Sequence, residues 1–200
     1  MQKSDIIDTD IRSKLTIALD NAIQAVSQLK SEPHVQFIEQ TAKLLVHAFN
    51  TGNKVLIAGN GGSLCDAAHF AEELTGFFRK ERRALAAIAL SEPGHITCTA
   101  NDLGFEWVFS RAVEALGRPG DVFVGLTTSG NSPNIIRAFE AARKIGMHTV
   151  SFLGKDGGIL RGVADQELLI SGFSTSDRIQ EAHMAAIHTI IELVEHELFD

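Results

Sequence analysis

The sequence predicts an α/β protein in which helices cover both faces of a parallel β-sheet, and three observations lead to this class. After residue 52, five short apolar runs alternate with longer segments of helical periodicity. The runs are apolar at nearly every position, as is typical of strands buried on both faces. Nothing along the 200 residues resembles a linker or an internal repeat, so we expect one domain spanning residues 1–200.

Two amphipathic helices are predicted to precede the sheet. Apolar residues recur at helical spacing over roughly 10–30 and again over about 35–51, and Gly52 ends the second pattern. We expect residues 1–52 to serve in packing and oligomerisation, and residues 53–200 to form the α/β core.

Five strands and a long final helix complete the predicted fold. The apolar runs place the strands at residues 55–58, 86–90, 122–127, 149–153 and 167–170. The final helix spans about 177–198 and is strongly apolar on one face. With helices on both faces of the sheet, the expected architecture is a three-layer αβα sandwich preceded by the N-terminal helices.

Composition and charge exclude several classes of protein. The formal net charge of -7 argues against non-specific binding to nucleic acid or to an anionic membrane. No apolar run approaches the roughly 20 residues needed to cross a bilayer, and the N-terminus lacks an apolar secretory core. Cys65 and Cys98 fall in no metal or redox spacing, which indicates reduced thiols. We therefore expect a cytoplasmic protein without a nucleic-acid or membrane partner.

Two polar loops follow predicted strands at the edge where parallel sheets bind ligands. Residues 59–63 read Gly-Asn-Gly-Gly-Ser, and residues 127–133 are rich in hydroxyls and end at Pro133, where a helix can begin. Backbone N–H groups and hydroxyls at a helix N-terminus bind phosphate without a lysine. Neither loop is a Walker A loop, and no dinucleotide-binding fingerprint is present. One such loop is commonly just a tight connection, but two together indicate a phosphate site.

Side chains that can carry chemistry occur on two predicted helices. His69 and Glu73 stand four residues apart on one face of the helix that follows the first loop. An ordinary surface pair is one interpretation. The apolar residues around the pair indicate instead a buried helix, in which a carboxylate needs a cation, a metal or a donor. On the final helix, Gln180, His183 and His188 are candidates for the same site, and a structural role for each stays open.

Together these segments resemble the sugar isomerase (SIS) fold and, closely, its phosphoheptose isomerase family. The matching motifs are residues 59–63, His69-Phe-Ala-Glu-Glu-Leu-Thr-Gly76, Asn101-Asp102, residues 127–132, and residues 177–183 with His188. They run in the family's order across residues 35–200. Any single motif is unspecific, whereas the combination is highly specific.

The resemblance implies a flavodoxin-like, five-stranded parallel sheet, a homotetramer and one Zn²⁺ per subunit. It also implies conversion of D-sedoheptulose 7-phosphate to D-glycero-D-manno-heptose 7-phosphate through an enediol, the first step toward ADP-heptose and the lipopolysaccharide core. One alternative is a non-catalytic SIS regulator of the type associated with a DNA-replication initiator. Another is an isomerase of pentose 5-phosphates. The chain keeps Glu73 and His188, which regulators of this type lose, and this favours the heptose isomerase.

Residue roles are implied by the matching positions. The zinc ligands would be His69, Glu73, Gln180 and His188. Glu73 would abstract a proton from carbon, and His188 would exchange protons at the sugar oxygens. The hydroxyls that bind phosphate would be those of Ser63, Thr127, Ser129 and Ser132. Further substrate contacts would come from Asn60, Gly61, Gly62, Glu73, Asn101, Asp102, Thr128, Asp177 and Gln180.

Two features of the sequence bear on the assembly. Many relatives have a basic residue directly after Gly76, where this chain has Phe77, so Arg79 or a neighbouring subunit is expected to compensate. Gln180 and His188 are eight residues apart, about 12 Å along a helix axis, whereas two ligands of one metal each lie about 2 Å from it. This spacing predicts a site to which a second subunit contributes at least one residue.

Overall fold

The protein is described by a computed structural model that covers residues 3–200, with side-chain environments from residue 10 onward. Two helices come first, α1 (Lys3–Ser27) and α2 (Glu32–Asn50), separated by a short 3₁₀ turn. The first helix begins earlier than predicted, because residues 3–9 contain no glycine or proline to end it. The part of the single-domain prediction that covers residues 1 and 2 lies outside the described residues.

Strands and helices then alternate. They are β1 (Val55–Gly59), α3 (Gly62–Thr75), β2 (Ala87–Ala89), α4 (Pro93–Asp102), α5 (Val108–Leu116), β3 (Val122–Thr127), α6 (Pro133–Ile145), β4 (His148–Gly154), β5 (Gln166–Ile170) and α7 (Ser176–Phe199). All five predicted strands are present, with β2 two residues shorter than expected. The predicted final helix corresponds to α7.

The five strands form one parallel sheet in the order β2-β1-β3-β4-β5. Side chains alternate across it, so Val55 and Ile57 enter the core beneath α2, α3 and α7. Leu56 and Ala58 enter a second core beneath α5 and α6. The predicted fold class, a three-layer αβα sandwich with a five-stranded parallel sheet, is confirmed.

The order of the strands fixes where a ligand can bind. From β1 the chain first moves outward to β2 and then crosses back to β3, so the order reverses between β1 and β3. These two strands are paired in register, with Gly59 beside Leu126. The loops after them therefore meet at the switch point, the crevice where open α/β sheets bind ligands. Within the described part of the chain, no helix is both long and apolar enough to span a bilayer.

Candidate active site

The loop between β1 and α3 needs glycine for steric reasons. A Cβ on Gly59 would lie 2.3 Å from the carbonyl oxygen of Ser63, and Gly61 has φ of +55°. The Ser63 N–H donates to the carbonyl of Asn60 at 3.0 Å, which closes the turn and starts α3. The N-terminus of α3 therefore faces the crevice.

The loop between β3 and α6 presents hydroxyls to the same crevice. The hydroxyl oxygens of Thr127 and Ser132 lie 3.2 Å apart, and the Gly130 N–H donates to Thr127 Oγ1. The Asn131 N–H donates to Ser129 Oγ. These bonds hold the hydroxyl groups beside the N-terminus of α6, where the helix dipole favours an anion.

The loop after β4 supports the β3–α6 loop from behind. A Cβ on Gly130 would lie 1.7 Å from the carbonyl oxygen of Gly157, so only glycine fits there. The Ile159 N–H donates to Asn131 Oδ1, and the Leu160 N–H donates to the carbonyl of Gly130. This support is not predictable from local sequence patterns, because Asn131 and Ile159 are 28 residues apart.

A cavity of about 340 Å³ lies between the two loops and the first turns of α7. The Thr128 and Ser176 hydroxyls lie 3.0 Å apart across it, and Gln180 Nε2 donates to Ser63 Oγ at 3.2 Å. Ser176 was not predicted, although a hydroxyl opening a helix after the last strand was a usable signal. Among the residues that the structure describes, the lining contains no lysine or arginine and consists of Asn60, Gly62, Ser63, Leu126, Thr127, Thr128, Ser129, Ser132, Ser176 and Gln180.

A second cluster lies further along the paired helices α3 and α7. His69 Nε2 is 3.0 Å from His188 Nε2 and 3.4 Å from Glu73 Oε1. The three side chains offer ligand atoms that all lie within 4.8 Å of one another. Two imidazoles and a carboxylate are a typical donor set for zinc. His69 and Glu73 do not form an isolated pair, because His188 lies against them.

The surroundings of the cluster tune its charge. Burial lowers the pKa of His188, and the neighbouring His69 lowers it further, which favours the neutral imidazole. One turn before His69, burial raises the pKa of Asp66 to about 6 against the attraction of that histidine. Phe78 stacks on His188 with ring centroids 5.6 Å apart, and the Arg79 guanidinium lies over Phe78. Arg79 is thus close to the cluster, while Phe77 is exposed.

Gln180 is not part of this cluster within one chain. Its side chain lies over Gly62, where a Cβ would be 2.7 Å from Gln180 Nε2. His188 is two helical turns further along α7, and the rise of the helix separates them. The four expected zinc ligands are therefore divided in the single chain, with His69, Glu73 and His188 together and Gln180 at the hydroxyl-lined cavity.

Three of the remaining predicted contact residues lie outside the lining of this cavity. Asn101 and Asp102 end α4, where the Asn101 amide donates to Asp102 Oδ1 at 2.8 Å. Asp177 is on the first turn of α7, and a hydrogen bond from Thr175 helps to hold the pKa of Asp177 below its usual value. None of these three residues lines the 340 Å³ cavity among the residues that the structure describes.

His183 has a structural role. It is fully buried, its Nε2–H donates to the carbonyl of Leu153 at 2.9 Å, and its ring packs edge-on against Phe152. Burial lowers the pKa of His183 from 6.5 to about 4. Burial of the neutral imidazole therefore has no protonation cost above pH 6.5, where the histidine of the unfolded chain is also neutral.

We expect the free energy of unfolding to decrease as pH falls from 6.5 toward 4, because the unfolded chain then binds a proton that folded His183 refuses. The loss from this residue reaches about 3 kcal/mol of unfolding free energy at pH 4 and is absent above pH 6.5. Urea titrations of wild type and His183→Leu at pH 7 and pH 5 measure the effect. His148→Gln serves as the control, because His148 is exposed. Equal pH dependence in all three proteins would contradict the assignment.

The three-layer fold carries a hydroxyl-lined cavity at its switch point. Residues 19–154 match the SIS domain family, which places the protein in that class. A phosphoheptose isomerase from Fusobacterium nucleatum is 57% identical over 171 residues, covering 86% of this chain and 88% of the relative. One from Vibrio cholerae is 51% identical over 189 residues, covering 94% and 97%. The chain belongs to the phosphoheptose isomerase family, as the motifs predict.

Solved structures agree with this assignment. The phosphoheptose isomerase from Neisseria gonorrhoeae superimposes with a TM-score of 0.86 at 37% identity, covering 93% of this chain and 99% of that one. The enzyme from Francisella tularensis has a TM-score of 0.78 at 32% identity, covering 98% and 100%. The NanR protein of Vibrio vulnificus, solved with ManNAc-6P, shares 12% identity and shows a common fold alone.

Proposed function

We propose that this protein is a phosphoheptose isomerase that converts D-sedoheptulose 7-phosphate to D-glycero-D-manno-heptose 7-phosphate. One observation carries the proposal: helices α3 and α7 hold both the wall of the hydroxyl-lined cavity and the His69–Glu73–His188 cluster. A substrate whose phosphate occupies the cavity can extend its other end along these helices toward the cluster. The family membership supports the same reaction. No observation favours the regulator or the pentose isomerase.

The phosphate is bound by neutral groups. Hydroxyls of Ser63, Thr127, Ser129 and Ser132 donate to its oxygens, and backbone N–H groups at the starts of α3 and α6 add the positive ends of two helix dipoles. Asn60, Gly61, Gly62, Thr128 and Gln180 contact the sugar beyond the phosphate. Asn101, Asp102 and Asp177 supply further substrate contacts.

Ketose–aldose isomerisation moves a proton from C1 to C2 through an enediol. Glu73 takes the proton from C1 and returns it to C2, since its carboxylate is held against His69 and is only one-fifth exposed. His188 exchanges protons between the two oxygens, because burial keeps its imidazole neutral and able to accept. Arg79 is the basic side chain near His188 that can act on the developing enediolate, and its guanidinium also pairs with Glu192.

The donor atoms of His69, Glu73 and His188 fit a zinc ion in number and chemistry. When bound, Zn²⁺ supplies Lewis-acid polarisation of the substrate oxygens. We expect one ion per subunit. A carboxylate cannot be at once a tight ligand and a free base, so the two roles of Glu73 have to be separated by experiment.

We also propose a homotetramer with shared sites. Among the residues whose side chains are described, helix α1 exposes six large apolar side chains, more than an isolated helix face in water normally carries: Ile11, Leu15, Ile17, Leu19, Ile23 and Val26. A partner subunit that covers them can also bring Gln180 or a basic residue to the cluster. Sedimentation should give four times the 21.6 kDa chain mass. A fully active monomer would contradict the shared site.

Incubation with D-sedoheptulose 7-phosphate tests the function, with formation of the aldose followed over time. We expect turnover by the zinc-loaded protein, a loss of turnover and of bound metal on chelation, and recovery of both when zinc is added back. We place the activity in the cytoplasm as a source of heptose for the lipopolysaccharide core.

A further inference from the structure

The side chains of Asn60 and Asn134 form a reciprocal amide pair. Asn60 Nδ2 donates to Asn134 Oδ1, and Asn134 Nδ2 donates to Asn60 Oδ1, both at 2.9 Å. Asn60 is in the loop after β1, and Asn134 is on the first turn of α6, so the pair joins the two loops that form the cavity. Asn134 is only 2% exposed. The pair is costly to break, because the buried amide of Asn134 would lose its partner.

A third hydrogen bond determines which way both amides face. The backbone N–H of Ile135 donates to Asn134 Oδ1 at 2.9 Å. A flipped Asn134 would oppose this N–H with its own NH₂ group, so the flipped orientation is excluded. Because Asn134 is fixed, Asn60 must turn its NH₂ group toward Asn134 Oδ1 and its oxygen toward Asn134 Nδ2. The backbone at the start of α6 thereby sets the orientation of an amide in the other loop.

The pair leaves Asn60 able to bind a ligand. An asparagine amide has two N–H donors and two acceptor lone pairs, and the pair uses one of each. Asn60 also lines the 340 Å³ cavity, whereas Asn134 does not. The remaining donor and acceptor of Asn60 therefore have a defined arrangement before any sugar binds.

We propose that Asn134 is a positioning residue that fixes the amide of Asn60 for the sugar-phosphate substrate. This role rests on the proposed function and deepens it. Asn134 does not touch the substrate. It removes the alternative orientation of Asn60, in which donor and acceptor would be exchanged relative to the sugar hydroxyls. Orientation that is fixed before binding lowers the barrier to reaction, because it does not have to be gained in the complex.

A double-mutant cycle tests whether Asn134 acts through Asn60. We expect Asn134→Ala and Asn60→Ala each to lower kcat/KM for D-sedoheptulose 7-phosphate by about tenfold or more. In the double variant the loss should equal that of Asn60→Ala alone, within about twofold, because the group being positioned is gone. If the two losses multiply, or if Asn134→Ala keeps wild-type kcat/KM, the proposal is overturned.

Two further variants separate positioning from folding. Asn134→Asp keeps an acceptor for Ile135 at the start of α6, where the helix dipole favours an anion. It cannot donate to Asn60 Oδ1, so it should still lose activity. Full activity in this variant would overturn the proposal. Asn53→Ala is the matched control, since half-buried Asn53 bonds to Pro119 and Asp121 at the opposite end of the sheet. It should lower the melting temperature and leave kcat/KM unchanged.

An NMR measurement distinguishes failure of this proposal from failure of the proposed function. The protons of the Asn60 side-chain NH₂ group should exchange slowly with solvent in wild type and fast in Asn134→Ala. This readout needs no substrate. No turnover by wild type would overturn the proposed function, together with the kinetic role assigned here. Turnover with independent effects at the two positions, or an Asn60 signal unchanged by Asn134→Ala, would overturn the role of Asn134 alone.

Discussion

Glu73→Gln is expected to lower kcat for D-sedoheptulose 7-phosphate by about 100-fold or more, the range measured for loss of a positioned general base. Glutamine has nearly the shape of glutamate, so the contact with His69 at 3.4 Å and the packing of α3 should persist. What disappears is the carboxylate that takes the proton from C1. Initial rates of aldose formation by purified, zinc-loaded protein measure the loss.

Metal content separates the two roles of Glu73. A variant that retains zinc and loses turnover identifies the carboxylate as the base, whereas loss of both identifies it as a required ligand. Glu114→Gln is the control, because Glu114 pairs with Arg111 on α5 and should leave turnover unchanged. Wild-type activity in Glu73→Gln would remove this residue from the mechanism.

Arg82→Met is expected to destabilise the fold by about 3–5 kcal/mol, because it leaves a buried carboxylate without its partner. The side chains of Arg82 and Glu195 are 1% and 2% exposed, and Arg82 Nε donates to Glu195 Oε1 at 2.9 Å. Arg82 also donates to the carbonyls of Glu73 and Leu74. Glu195 accepts from the N–H groups of Phe78 and Arg79, so the pair connects the end of α3 and the following loop to α7.

Urea unfolding of Arg82→Met measures this loss. Arg111→Met is the matched control, since the Arg111–Glu114 pair is exposed on both sides and should cost under about 1 kcal/mol. The double variant Arg82→Met/Glu195→Leu should regain part of the stability by removing the orphaned charge. If Arg82→Met and Arg111→Met lower the free energy of unfolding equally, the buried pair stabilises the fold no more than the exposed pair does.

The sheet is predictable because its signal is local. Each parallel strand is buried on both faces and therefore appears as a continuous apolar run, as in residues 122–127. Gly59, which has room for no Cβ, and Pro133 at the start of α6 likewise follow from local geometry. The positions of the two site loops are predictable for the same reason, since the carboxyl ends of parallel strands lie at one edge of the sheet.

The long-range pairings are not predictable from one sequence. Arg82 and Glu195 are 113 residues apart, and nothing in either neighbourhood marks them as partners. The Asn60–Asn134 pair spans 74 residues. His69 and His188 are 119 apart, and their meeting depends on how α3 packs against α7. Motif resemblance predicts a role for His188, but the separation of Gln180 from the His69–Glu73–His188 cluster is seen only in the folded chain.

Turnover of D-sedoheptulose 7-phosphate by the purified, zinc-loaded wild-type protein is the decisive measurement. We expect D-glycero-D-manno-heptose 7-phosphate to form at a rate that falls on chelation and by about 100-fold or more in Glu73→Gln. A folded, zinc-loaded protein that binds the sugar phosphate in the hydroxyl-lined cavity and forms no aldose would contradict the assignment as a phosphoheptose isomerase.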